Sequence, residues 1–216
     1  MEYSVILAGF GGQGILFAGQ VLSQAAVIEG RHTLWIPSYG PEMRGGTASC
    51  TVIVGDAPIG SPVVDRVDGA IVLTPPALAR FGPLVAVGGV LVVNDTLIEA
   101  ETGRADVVEV RVPATTLATR AGDERLASVV ALGALIARLP VVAEAALRTA
   151  LATVVGAKHP EALEADLAAL DAGFTAGGTH AAGHVTGANA SPANGGARGR
   201  TSSRAANADR AGGESG

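Results

Sequence analysis

The residues able to do chemistry fall in two short segments. The first is Gly9-Phe10-Gly11-Gly12-Gln13-Gly14, in which Gly9, Gly11 and Gly14 keep the spacing of a dinucleotide fingerprint. Glycines there permit a tight turn and let a ligand's phosphates approach the backbone, and the helix that follows offers unpaired N–H groups to an anion. Gln13 adds an amide able to reach a ligand or a neighbouring subunit. The second segment is Ser38-Tyr39-Gly40-Pro41-Glu42-Met43-Arg44-Gly45-Gly46. Pro41 stiffens it, while Gly40, Gly45 and Gly46 open backbone geometries closed to other residues. Arg44 carries a planar fork that suits a carboxylate, a phosphate or a partner's acidic side chain. Blander readings stay open: glycines that only solve a strand–helix junction, and an arginine paired with Glu42 or water.

A nicotinamide or flavin enzyme would need an acid at the end of the second strand to hold a ribose hydroxyl. That strand ends Leu34-Trp35-Ile36-Pro37-Ser38, with Glu29 too early and Glu42 in the following loop. Asp65 and Asp68 read as capping residues, and Asn94 either forms a turn or reaches the same edge as the glycine loop. Cys50 is the only cysteine, so the chain cannot by itself supply a four-cysteine cluster or zinc site. His32, His159, His180 and His184 show no spacing that would close a site with it. With no triad, P-loop lysine or catalytic carboxylate pair, no catalytic or metal-ligating residue is assigned.

The elements that must position these residues alternate. Val5–Ala8 reads as a buried parallel strand, and apolar residues from Gly12 to Glu29 recur at helical spacing up to a stop at Gly30. Thr33–Ile36 is the next strand, ended by Pro37. Thr47–Val54, Ala70–Leu73, Val90–Val93 and an outer Val107–Val112 follow. Beyond Pro113 the pattern turns helical: Leu126–Leu139, Val142–Val155 and Glu161–Leu170. This predicts a three-layer, doubly wound α/β domain over residues 1–174, with a mostly parallel sheet and a C-terminal helical segment. From Thr175 to Gly216 there is no Leu, Ile, Phe, Met, Trp or Tyr. Such a stretch cannot offset the entropy of ordering its backbone and is expected to be a disordered low-complexity tail.

Bulk composition narrows the partners. Of 216 residues, 48% are hydrophobic and only 3% aromatic, which suits a Val/Leu/Ala/Ile core under a parallel sheet. A net charge of -5 gives no footprint for nucleic acid. The start, Met1-Glu2-Tyr3-Ser4, has no basic region or cleavage site, and no apolar run reaches the roughly 18 residues a membrane span needs. A cytoplasmic protein is expected, with no membrane and no nucleic-acid partner.

The order GFGGQG, then PSYGPEMRGGTASC from Pro37 to Cys50, then Pro58-Ile59-Gly60-Ser61-Pro62 resembles the gamma subunit of 2-oxoacid:ferredoxin oxidoreductases. The resemblance runs over about residues 3–172 and is nearest to the 2-oxoglutarate branch. It implies a complex that decarboxylates a 2-oxoacid oxidatively, with coenzyme A taking the acyl group and ferredoxin the electrons. Thiamine diphosphate, Mg2+ and iron–sulfur clusters would be held by alpha and beta subunits and a ferredoxin-like delta subunit, none by this chain alone. It also implies that the two loops are contact surfaces. The candidate cofactor-binding residues are then Gly9, Gly11, Gly12, Gln13, Gly14, Ser38, Tyr39, Glu42, Arg44, Gly45 and Gly46. One departure is Ser128, where family members often carry an asparagine. The alternatives are a stand-alone NAD- or flavin-binding oxidoreductase, an indolepyruvate-type subunit, and an assembly scaffold whose glycine loop grips a partner's backbone.

Overall fold

The structure is a computed structural model and describes residues 1–39, 47–156 and 162–179. Six strands, β1 (Glu2–Phe10), β2 (His32–Tyr39), β3 (Thr47–Gly55), β4 (Val67–Val72), β5 (Val85–Asn94) and β6 (Val108–Val112), form one sheet in the order β2-β3-β1-β4-β5-β6. β1, β4, β5 and β6 pair in parallel, and β3 runs antiparallel to both its neighbours, β1 and β2. The sheet is thus mostly parallel, as the sequence predicts, with one hairpin strand inserted.

Pro37 does not end β2. The strand continues to Tyr39, with Pro37 opposite Cys50 of β3. β2 is an edge strand, where a missing N–H need not break a ladder. β5 likewise begins before the expected Val90. Gly88, at φ 79°, lies in the irregular stretch where the β4–β5 register shifts, so the two glycines mark a bulge inside the strand.

Helices lie on both faces, unequally. α1 (Ile15–Ile28), α3 (Ala114–Ala121), α4 (Ala127–Arg138), α5 (Glu144–Gly156) and α6 (Leu163–Thr179) contribute to the larger core, with Val5 and Leu7 of β1 beneath them. α2 (Pro75–Phe81) contributes to the smaller core with Ile6, Ala8, Val72 and Leu91. The alternation Val5/Leu7 against Ile6/Ala8 shows β1 buried on both faces, as a central parallel strand must be. α1 ends on Gly30 at φ 72°, whose N–H donates to Val27 O at 2.9 Å while that of Arg31 donates to Ala26 O at 3.0 Å. Both bonds satisfy carbonyls that the helix end would otherwise leave unpaired.

α6 runs past the expected domain limit to Thr179. A Cβ on Gly173 would collide with the Val130 carbonyl, one on Gly133 with that of Leu170, and one on Gly177 would stand 2.6 Å from Ala134 O. These glycines let the backbones of α4 and α6 touch. Residues 175–179, expected to begin the disordered tail, are instead helical and part of this packing seam. The rest of the expected disordered tail, residues 180–216, lies outside the described residues.

Candidate functional site

β1 delivers the glycine loop to the carboxyl edge of the sheet, where Gly9 stands opposite Ala48 and Phe10 opposite Thr47. Tyr39 pairs with Ala48, so both flanks of the 40–46 segment end beside the glycine loop. The glycine loop and the two strand ends that flank residues 40–46 therefore share one edge. On the other side of β1, the Leu73 N–H donates to Ala8 O at 2.9 Å, and the chain turns into α2. Since α1 packs on one face and α2 on the other, the space between the ends of β1 and β4 is the switch point where open α/β sheets bind ligands.

This topology also changes the test for a dinucleotide. The acid expected after the second strand belongs to a fold in which that strand adjoins β1. Here β3 lies between them, so the end of β2 is not the ribose position.

Within the loop, Gln13 turns inward. Its Oε1 accepts the Phe10 N–H at 2.8 Å, and its own N–H donates to Phe10 O at 3.3 Å. Gly9 leaves room for that side chain, since a Cβ there would stand 2.6 Å from Gln13 Oε1. Gly14, at φ 74°, is the N-cap of α1, and a Cβ on it would meet Ser128 Oγ at 2.6 Å and Arg125 O at 2.7 Å. Gly9 and Gly14 thus serve the junction itself. Gly11 and Gly12 are exposed, and Gly12 at φ 101° has open space beside it. They form the part of the loop that a ligand or another subunit can approach.

Ser38 is exposed near the end of β2, whose last residue is Tyr39. Glu42, Arg44, Gly45 and Gly46 lie outside the described residues. Asn94 is fully buried and ties elements together: its Nδ2 donates to Leu73 O at 3.3 Å and Thr115 Oγ1 at 3.0 Å, and its Oδ1 accepts the Thr115 N–H at 3.3 Å. Asp68 bonds the Ser4 N–H at 2.8 Å and hydroxyl at 3.0 Å, pinning β4 to β1. The capping reading of Asp68 fits. Cys50 is buried beneath α1, its thiol pushed up to about 12 by burial against the opposing effect of the Trp35 indole. It packs as a small apolar group rather than a nucleophile.

Two hydroxyls that sequence reasoning did not place at the site are fully buried without a hydrogen-bond partner, Thr74 Oγ1 and Ser128 Oγ. Thr74 precedes Pro75-Pro76 and occupies the N-cap of α2, a position that the Thr-Pro-Pro pattern signals. Ser128 lies in the first turn of α4, against Gly14. Just before it, Asp123 accepts hydrogen bonds from the Arg125 N–H and guanidinium, which hold its carboxyl below the usual range.

An open, mostly parallel α/β sheet with a glycine loop at the carboxyl end of its first strand defines a doubly wound domain. The chain belongs to the pyruvate ferredoxin/flavodoxin oxidoreductase family, whose model matches residues 4–176. It is 45% identical over 136 residues to the ketoisovalerate oxidoreductase subunit VorA of Methanothermobacter thermautotrophicus, covering 63% of this chain and 28% of that protein. It thus spans just over a quarter of that relative. It is 36% identical over 174 residues to the 2-oxoglutarate synthase subunit KorC of the same organism, covering 77% of this chain and 90% of that one. Among solved structures it is similar to the gamma subunit of a keto/oxoacid ferredoxin oxidoreductase from Geobacter sulfurreducens. The TM-score is 0.73 at 29% identity, over 82% of this chain and 97% of that chain. The resemblance read from the three motifs is therefore to the right family, and the sheet is the gamma-subunit fold. Among the described residues no helix is long and apolar enough to cross a membrane.

Proposed function

We propose that this chain acts as the gamma subunit of a thiamine-dependent 2-oxoacid:ferredoxin oxidoreductase whose substrate is 2-oxoglutarate. The observation carrying the substrate is the alignment with the 2-oxoglutarate synthase subunit, which extends over 90% of that relative. Thiamine diphosphate, Mg2+ and the iron–sulfur clusters belong to alpha, beta and delta partners, and ferredoxin accepts the electrons. The chain contributes the carboxyl edge of its sheet. Gly11 and Gly12 and the 38–46 segment meet the thiamine-binding subunits, and the N-terminus of α1 receives phosphates of coenzyme A. Gly9, Gln13 and Gly14 hold that surface in shape. A ketoisovalerate substrate is the second reading, favoured by the higher identity, 45%, to the ketoisovalerate relative.

The test is recovery of the tagged chain from its own cells, with the eluate assayed for coenzyme-A-dependent viologen reduction. Activity on 2-oxoglutarate, carried by co-eluting larger subunits, is expected. Activity on ketoisovalerate alone would move the substrate to the second reading. A chain that elutes alone with bound nucleotide would overturn the complex.

A further inference from the structure

α1 runs from Ile15 to Ile28 without a charged residue. Among the described residues, every other helix of eight residues or more carries at least one, such as Arg120 in α3, Arg138 in α4, Arg148 in α5 and Asp171 in α6. A surface helix ordinarily turns a charged face to water, and depletion of charge marks the core of an interface. Ala18, Leu22 and Ala25 of α1 face the core. On its other side Leu16, Phe17, Gln20, Gln24, Val27 and Ile28 share roughly a third of the circumference at about 3.6 residues per turn. Val27 is 52% and Ile28 41% exposed. Beside α1, Trp35 of β2 is 36% exposed and lies against Gly19, where a Cβ would stand 3.0 Å from its Nε1. The first charges beyond the helix are turned to the chain itself. Glu29 accepts the Ala143 N–H at 2.6 Å, and Arg31 donates to Asp56 at 2.9 Å.

Along that face the order is palindromic: two apolar residues, Gln20, Gln24, two apolar residues. A contact about a two-fold axis needs this property, since each residue must suit the one it meets in both directions. We propose that α1, flanked by Trp35, is a docking face for a second copy of this chain, the two helices packing antiparallel about a two-fold axis at the level of Leu22. Leu16 then meets Ile28 of the second copy, Phe17 meets Val27, and Gln20 meets Gln24, each contact occurring twice. Two facing amides can each donate and accept, which satisfies the polar centre of the contact. Charge favours this occupant: at a net charge of -5 two copies repel each other, and a neutral face is where they can meet. The contact is made by side chains rather than by extending the sheet, because Pro37 makes the β2 edge a poor template for another strand.

Sedimentation velocity of the full chain across a range of concentrations is expected to show a reversible monomer–dimer equilibrium. Gln20→Lys with Gln24→Lys sets like charges opposite each other at both symmetry-related positions and should weaken the dimer about tenfold or more. Gln20→Lys with Gln24→Glu sets opposite charges there and should restore it. Circular dichroism of both variants should match wild type, since neither position is buried. A chain that stays monomeric at every concentration would overturn the proposal, as would a dimer that the two lysines leave unchanged. Loss of the dimer in both variants would overturn the antiparallel pairing.

Discussion

At the scale of single residues, the glycine loop separates into positions that hold and positions that face outward. Gly14→Ala must accommodate φ 74° and a methyl group 2.6 Å from Ser128 Oγ and 2.7 Å from a backbone carbonyl. We expect it to cost about 2–3 kcal/mol, read as a lower denaturant midpoint at unchanged m-value. Gly12→Ala meets nothing within 4 Å and carries only the conformational penalty of φ 101°, roughly 1–2 kcal/mol. A Gly12 variant as unstable as the Gly14 one would contradict this division. Spacing alone locates the loop, because three glycines between a strand and a helix have few other uses. It does not reveal that Gln13 Oε1 is occupied by the Phe10 N–H, since nothing in a sequence says which way an amide turns. The unpaired state of Thr74 and Ser128 is equally invisible there, because it depends on which neighbours the fold supplies.

At the scale of elements, α6 and its crossing with α4 show how a composition signal can mislead. Gly173 and Gly177 flank Thr175, from which the loss of large apolar residues predicts a disordered tail. In the folded chain they are spaced one helical turn apart and face the backbone of α4. Glycine normally weakens a helix by about 1 kcal/mol relative to alanine, so Gly→Ala here should stabilise on propensity alone. At Gly173 the Val130 carbonyl occupies the place of the new Cβ, and over-packing reverses the sign. Gly173→Ala is expected to destabilise by about 1–3 kcal/mol. Gly178 is exposed, with nothing within 4 Å of an added Cβ, and Gly178→Ala should raise stability by up to about 1 kcal/mol. Thermal melts of the two variants should therefore shift in opposite directions. Shifts of the same sign would mean that α4 and α6 do not meet backbone to backbone. The strands are more legible in the sequence than this helix, since runs such as Ala70–Leu73 leave little choice. Their ends are not, because whether Pro37 breaks a strand depends on its being at an edge.

At the scale of the whole molecule, the sequence is enough for a mostly parallel α/β sheet and not for its strand order. The insertion of β3 between β1 and β2 follows from pairings that no local pattern encodes, yet it is what brings the glycine loop beside the strand ends that flank residues 40–46. A second global property comes from one carboxyl group. Asp166, in the first turn of α6, is 4% exposed, and its Oδ1 has no hydrogen-bond partner. Burial, with a smaller contribution from Asp123, raises its pKa from 3.8 to about 6. The folded state therefore holds this proton more tightly than the unfolded chain, which releases it first as pH rises. Folding stability contributed at Asp166 is complete below about pH 4, falls across the interval from 3.8 to about 6, and stays lost above it. A tenfold difference in proton affinity corresponds to about 1.4 kcal/mol, so the loss is of order 2–3 kcal/mol at neutral pH. Asp166→Asn cannot ionise and should escape the decline. At pH 7.5 the variant is expected to unfold at higher urea than wild type, and near pH 4 the two curves should converge. Other carboxylates act in the opposite sense, Asp56, Asp106 and Asp123 all being lowered by neighbouring cations. They contribute to both proteins alike, so the difference between the two curves isolates Asp166. A difference independent of pH would mean that the Asn side chain, and not the charge, is responsible.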